Sequence, residues 1–216
     1  MPAPVTDRDD DTRAEKVVDG AIHIVGLTGA AIALGYLIAG IGPGATTRQY
    51  LALAVYGTGL LGMLSMSALY NLSPPGAWKT IFRTCDRAMI FVMIAGSYTP
   101  FAVSAFPPDI GLLLCTTIWA LAALGVTISI AWTRLYDRIS IALYLGMGWV
   151  VLAVLPPLVA AVSATVLTLL VSGGVVYSLG VIIHTRGRAA FHNAAWHVMV
   201  VTAAALHLAA VALVLT

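Results

Sequence analysis

The sequence predicts an all-α integral membrane protein, a bundle of seven transmembrane helices. Three features lead there. Of the 216 residues 60% are hydrophobic and only 9% charged, with a mean hydropathy of +0.96; a soluble domain carries roughly a quarter charged residues. The charges are also segregated, thirteen of them falling in residues 1–19 and 73–88. Finally, seven apolar stretches reach the length of about 20 residues that a helix needs to cross a hydrocarbon core about 30 Å thick.

The stretches are 18–41, 49–72, 85–106, 110–132, 138–155, 158–184 and 191–216. Gly42-Pro43-Gly44 separates the first two, and Pro74-Pro75-Gly76 follows the second. Pro107-Pro108 divides the third from the fourth, and Pro156-Pro157 is expected to divide the fifth from the sixth. Residues 1–16 form an expected cytoplasmic, disordered tail and 17–216 the transmembrane domain. That tail mixes Asp7, Asp9, Asp10, Asp11 and Glu15 with three basic residues, unlike a basic leader followed by an apolar core.

Lys and Arg placement orients the bundle. The N-terminal tail and the loops on its side hold Arg8, Arg13, Lys16, Lys79, Arg83, Arg134, Arg138, Arg186 and Arg188, with Arg87 just inside the third span; the other side holds only Arg48. The expected topology is therefore N-terminus in the cytoplasm and C-terminus outside. Trp78, Trp132, Tyr136, Trp196 and Phe106 fall near span ends, where interfacial aromatics anchor helices. Gly57, Gly59, Gly173 and Gly174 suit close helix packing. A net charge of +2 is too small, and its distribution too membrane-flanking, to suggest nucleic-acid binding, so no nucleic-acid partner is expected. Cys85 and Cys115 read as apolar membrane residues, with no disulfide arguable from sequence.

Ionisable groups within spans are costly and each calls for a reason. Here they are Asp19, His23, Asp86, Arg87, His192, His197 and His207, with His184 at the end of the sixth span. The topology places His23, Ser67, Asn71, Asp86, Asn193 and His197 at one depth near the cytoplasmic face, drawn from four helices. Ser67 and Asn71 share a helix face, as do Asn193 and His197, each pair being four residues apart. At about 100° per residue His192 lies about 140° from His197, and His207 lies about 80° round and about 15 Å along the helix. Each residue singly fits helix–helix hydrogen bonding; the set fits a buried polar site made of Ser67, Asn71, Asp86, Asn193 and His197, with His23 and His207 nearby.

The residues also resemble a known family. Ser67-Ala-Leu-Tyr70-Asn71, Asp86-Arg-Ala-Met-Ile90 and Ile94-Ala-Gly-Ser-Tyr-Thr-Pro-Phe101 are similar to motifs of the hemolysin III proteins, the bacterial branch of the progestin and adipoQ receptor family. Glu15-x3-Asp19-x3-His23 resembles the opening motif, with Asp19 where the family usually has Asn. Met147-Gly-Trp149, Gly173-Gly-x-x-Tyr177-x-x-Gly180 and His197-x9-His207 match later spans, so the resemblance runs from Glu15 to the C-terminus. It implies a seven-helix bundle with an intracellular N-terminus in the bacterial cytoplasmic membrane. For better-known members it implies a zinc held by three histidines, one in the second span and two in the seventh. An Asp in the third span there orients a zinc-bound water for hydrolysis of lipid amides or esters.

Here that ligand set is broken. The three zinc positions hold Asn71, Asn193 and His197, while the Ser and Asp positions keep Ser67 and Asp86. Zinc takes His N, Cys S or carboxylate O, and an amide oxygen is a poor ligand. The expectation is thus no cofactor and no metal, with Asn71 and Asn193 joining a hydrogen-bond network. The expected function is a role in membrane lipid or fluidity homeostasis, with membrane lipids as partners; a homo-oligomer is compatible with the sequence. Whether the chain is an enzyme stays open, with the weight against it. The alternative is a zinc-dependent intramembrane lipid hydrolase of amidase or ceramidase type, with a rearranged site of His197, Asp86 and His23 or His192. A pore-forming cytolysin ranks lower, because seven apolar spans preclude a water-soluble form. So does a proton or ion transporter, since no inverted repeat or charged path to the outer half is visible.

Overall fold

A computed structural model describes residues 12–42, 44–186 and 190–216. Helix α1 spans Arg13–Gly40, α2 Thr47–Leu72, α3 Ala77–Ser104 and α4 Pro108–Ala131. After them come α5 (Thr133–Gly148), a 3-10 segment (Val150–Val154), α6 (Leu155–Ala161), α7 (Ala164–Arg186) and α8 (His192–Leu215). Seven helical stretches are long and apolar enough to cross a membrane, the fifth being the composite Thr133–Ala161. The chain is a seven-helix membrane bundle with no strand among the described residues.

Two boundaries differ from the sequence expectation. Helix α1 begins at Arg13, so residues 13–16 belong to it, whereas residues 1–11 of the expected tail lie outside the described residues. The reason is a capping box: Thr12 Oγ1 accepts from Glu15 N at 3.3 Å, and Glu15 Oε2 accepts from Thr12 N at 2.9 Å, satisfying two otherwise unpaired donors. Thr46 and Gln49 repeat the device at the start of α2. The second difference concerns Pro156-Pro157. These prolines open α6 within the fifth span, and the break to the next span comes at Val162-Ser163. In a first helical turn the missing N–H groups have no intrahelical partner to lose.

Breaking a helix within the bilayer frees backbone groups that hydrocarbon cannot satisfy. Where α5 gives way to the 3-10 segment, Tyr98 of α3 repairs the break: its hydroxyl accepts from Val151 N at 3.0 Å and donates to Gly148 O at 2.8 Å. Buried Tyr136 and Phe106 also depart from the interfacial role expected of them, since both pack into the core. Tyr136 bonds the Tyr144 hydroxyl, which donates to Arg87 O at 2.9 Å. Trp78 and Trp132, by contrast, are exposed as anchors would be.

The core is apolar and centred on Tyr56, Leu60, Phe91, Ile118 and Val211, while Ile24, Val25, Leu112 and Leu113 face outward. That inverted distribution suits a lipid solvent. Helix α3 packs on α2, α4 and α8, and α1 packs on α2 and α8, so α1, α2, α3 and α8 surround one interior. Gly111 lets α4 cross α3 closely, because a Cβ there would collide with the Ala102 carbonyl oxygen. Gly111→Ala should therefore cost about 1–3 kcal/mol. Gly35→Ala, where a Cβ meets nothing within 4 Å, should be neutral or stabilising. Thermal unfolding of the two variants in detergent checks the contrast.

Candidate functional site

Helices α1, α2, α3 and α8 each bring a polar group into their shared interior. Asp19 and His23 lie one turn apart on α1, both buried. Glu15 lies a further turn back on the same face and reaches α8, where its Oε1 accepts from Phe191 N at 2.8 Å. Phe191 holds a left-handed backbone (φ 60°) directly ahead of α8, an unusual conformation for a bulky residue. This clip sets the start of α8 against the start of α1, and one turn inward the next pair meets.

That pair is Asp19 and His197. Asp19 Oδ1 lies 2.5 Å from His197 Nδ1, and both residues are buried. The opposite ring nitrogen, Nε2, stands 3.5 Å from Ser67 Oγ on α2. Asn71 follows one turn later: its Nδ2 donates to Ser67 O at 2.9 Å and lies 3.5 Å from Ser67 Oγ. Asp86 of α3 is hydrogen-bonded to the Ser67 side chain. His23 packs its ring on His197, centroids 4.5 Å apart. Its Nε2 is 3.3 Å from Asp19 Oδ2, but neither ring nitrogen has an aligned hydrogen-bond partner.

The structure thus brings together Ser67, Asn71, Asp86, His197 and His23, all expected at one depth. Asn193 sits half-buried one turn before His197 on α8. His207 is elsewhere: its Nε2 donates to Leu170 O at 3.3 Å, and its ring lies against Tyr177 and Gly173 of α7. Arg87 pairs with Asp137 at 3.3 Å and lies over the Tyr136 ring. The sequence reading left Asp19 out of the site, although the four-residue spacing Glu15, Asp19, His23 already put it on the face of His23. Glu15 was likewise missed as a clip, since its partner is a backbone N–H 176 residues away.

Zinc, which the family resemblance implies, does not fit the family positions, where Asn71 and Asn193 offer amide groups. A second donor set exists: one ligand atom each from Asp19, His23 and His197, all within 4.8 Å of one another. Its chemistry suits zinc, and His23 has nitrogens to spare. The spacing suits it only in part. Ligands at about 2.1 Å on a tetrahedral ion stand about 3.4 Å apart; Asp19 Oδ2 and His23 Nε2, at 3.3 Å, match that, whereas Asp19 Oδ1 and His197 Nδ1 sit at 2.5 Å, a hydrogen-bond separation. As arranged, His197 spends one nitrogen on Asp19 and turns the other to Ser67.

A sequence profile of the family described as Haemolysin-III related matches residues 12–208. The chain is 30% identical to Hemolysin-3 of Bacillus cereus over 193 residues, covering 89% of this chain and 88% of that protein. It is 29% identical to a Hemolysin-3 homolog of Bacillus subtilis (strain 168) over 186 residues, covering 86% and 87%. It is also 30% identical to the human monocyte to macrophage differentiation factor over 164 residues, covering 71% and 66%. No solved structure matches the chain.

The Asp19–His197 contact carries a stability prediction. Asp19→Leu strands His197 Nδ1 in the interior and should cost about 1–3 kcal/mol. Asp19→Asn, whose amide oxygen still accepts from Nδ1–H, should cost less. Unfolding of the purified variants in detergent measures both.

Proposed function

Because the chain belongs to the Haemolysin-III related family, we propose that it is a multi-pass protein of the bacterial cytoplasmic membrane acting in membrane lipid or fluidity homeostasis. It does so through the polar site between α1, α2, α3 and α8, without the three-histidine zinc. The observation supporting this is the convergence of Asp19, His23, Ser67 and His197 inside an otherwise apolar bundle. Desolvating a carboxyl and two imidazoles is costly in a membrane, and three helices converging on one point exceeds what gluing a single helix pair requires. By the distribution of basic residues this end of the bundle faces the cytoplasm. Lipids are the partners that reach a site at this depth.

The name Hemolysin-3, carried by the Bacillus cereus relative, suggests a cytolysin. Seven apolar spans leave this chain no water-soluble form from which to attack another cell, so the homeostasis reading is preferred. Deleting the gene in the native cell should change membrane order, read by a polarity-sensitive membrane dye across a temperature shift. Wild-type protein should restore it, whereas Ser67→Ala and His197→Ala should not. Unchanged order in the deletion strain, or full rescue by both variants, removes the reading.

The metal side has its own test. Native protein should purify with less than about a tenth of an equivalent of zinc. The double variant Asn71→His/Asn193→His rebuilds a three-histidine set with His197 and should bind close to one equivalent, since three protein ligands and a water complete a zinc site. Elemental analysis of both proteins decides it; stoichiometric zinc in the native protein is the contrary result.

A further inference from the structure

The corner between α2 and α3 holds a groove of about 520 Å³, lined by residues 73–78 and by Phe82. No side chain of the polar site lines it. Its floor is the turn from Ser73 to Gly76, in which Pro74 and Pro75 fix their own φ angles, so the groove is preformed and its occupant has little backbone to order. Its wall is aromatic. Trp78 and Phe82 lie one turn apart on α3, with ring centroids 6.0 Å apart and planes inclined by 28°. Trp78 is 69% exposed, which places an indole at the mouth of the groove.

The rim is cationic. Lys79 and Arg83 each follow one of the two aromatic residues in the chain, forming a second row about 100° round the helix from the first. Lys79 lies over the Tyr70 ring of α2, its Nζ 5.8 Å from the centroid, and this contact keeps the ammonium at the corner. From Leu69 to Thr84 the sequence carries these two cations and no acidic residue. Arg87, one turn further along α3, is paired with Asp137. Leu69, Leu72 and Ile81 are exposed and continue the apolar surface away from the turn.

We propose that this groove binds an anionic phospholipid, with the phosphate at Lys79 and Arg83 and the acyl chains along Trp78, Phe82 and Leu72. The two halves of the surface select the occupant together. A soluble anion uses the cations and leaves the apolar groove unfilled. A zwitterionic lipid fills the groove but gains little from the cations, because its own ammonium offsets its phosphate. A lipid of net negative charge uses both. The position agrees, since α2 ends at Leu72 and α3 begins at Ala77, and exposed tryptophans at such helix ends sit at headgroup level. The groove adjoins the end of α2 that carries Ser67 and Asn71, yet the proposal stands whatever the polar site does.

The test offers full-length protein in detergent equal amounts of phosphatidylglycerol and phosphatidylcholine with the same acyl chains, and reads the retained lipid by native mass spectrometry. Phosphatidylglycerol should be preferred by about tenfold or more, the scale of two basic residues near a membrane surface, and the preference should fall as salt rises. The double variant Lys79→Gln/Arg83→Gln should abolish the preference, and Trp78→Ala should lower retention of both lipids. Arg134→Gln/Arg138→Gln removes two cations from another connection at the same end of the bundle and should leave the preference intact. Glycerol phosphate at the lipid concentration should not compete. Each variant is compared as monodisperse protein, and the salt and competition arms use the native protein alone. An unselective native protein overturns the proposal, as does unchanged retention in Trp78→Ala. Equal loss in the Arg134/Arg138 control makes the attraction a diffuse property of the basic face and overturns the groove. Full competition by glycerol phosphate makes the ligand a free phosphate and overturns the lipid assignment.

Discussion

A carboxyl buried among hydrocarbon-facing helices constrains everything packed around it. Asp19 sits on a helix whose outward surface carries Ile24, Val25 and Ile32, so rotating α1 by half a turn would place the carboxyl against lipid. The cost of that exposure fixes the rotation of α1, and the hydrogen bond to His197 fixes which helix it must face. Glu15 adds a second tether one turn away through Phe191 N. Two contacts one turn apart on one face set both rotation and register, which a single contact leaves free. Helix α2 then brings Ser67 to the remaining imidazole nitrogen, and α3 closes the interior by packing on α2 and α8.

The same contact decides the chemistry open to the site. A histidine has two ring nitrogens, and in the neutral ring one donates and the other accepts. With a carboxyl at Nδ1, the proton belongs there and Nε2 is left as a base. The imidazole is held at one end by Asp19 and directed at the Ser67 hydroxyl from the other.

Much of this was legible in the sequence for simple physical reasons. The seven helices follow from apolar length, because lipid allows no other spanning element for such segments. His207, expected near the site, instead packs against Tyr177 of α7. The sequence was misread where a residue type has two uses. Proline both ends helices and opens them, and Pro156-Pro157 sits in the first turn of α6, where no intrahelical bond is lost. Tyr136 is an interfacial residue by type, yet its hydroxyl has a buried partner in Tyr144. Partner choice was the least legible feature. Asp86 stood in the family's position and drew attention, whereas the carboxyl that reaches His197 comes from α1, 178 residues away.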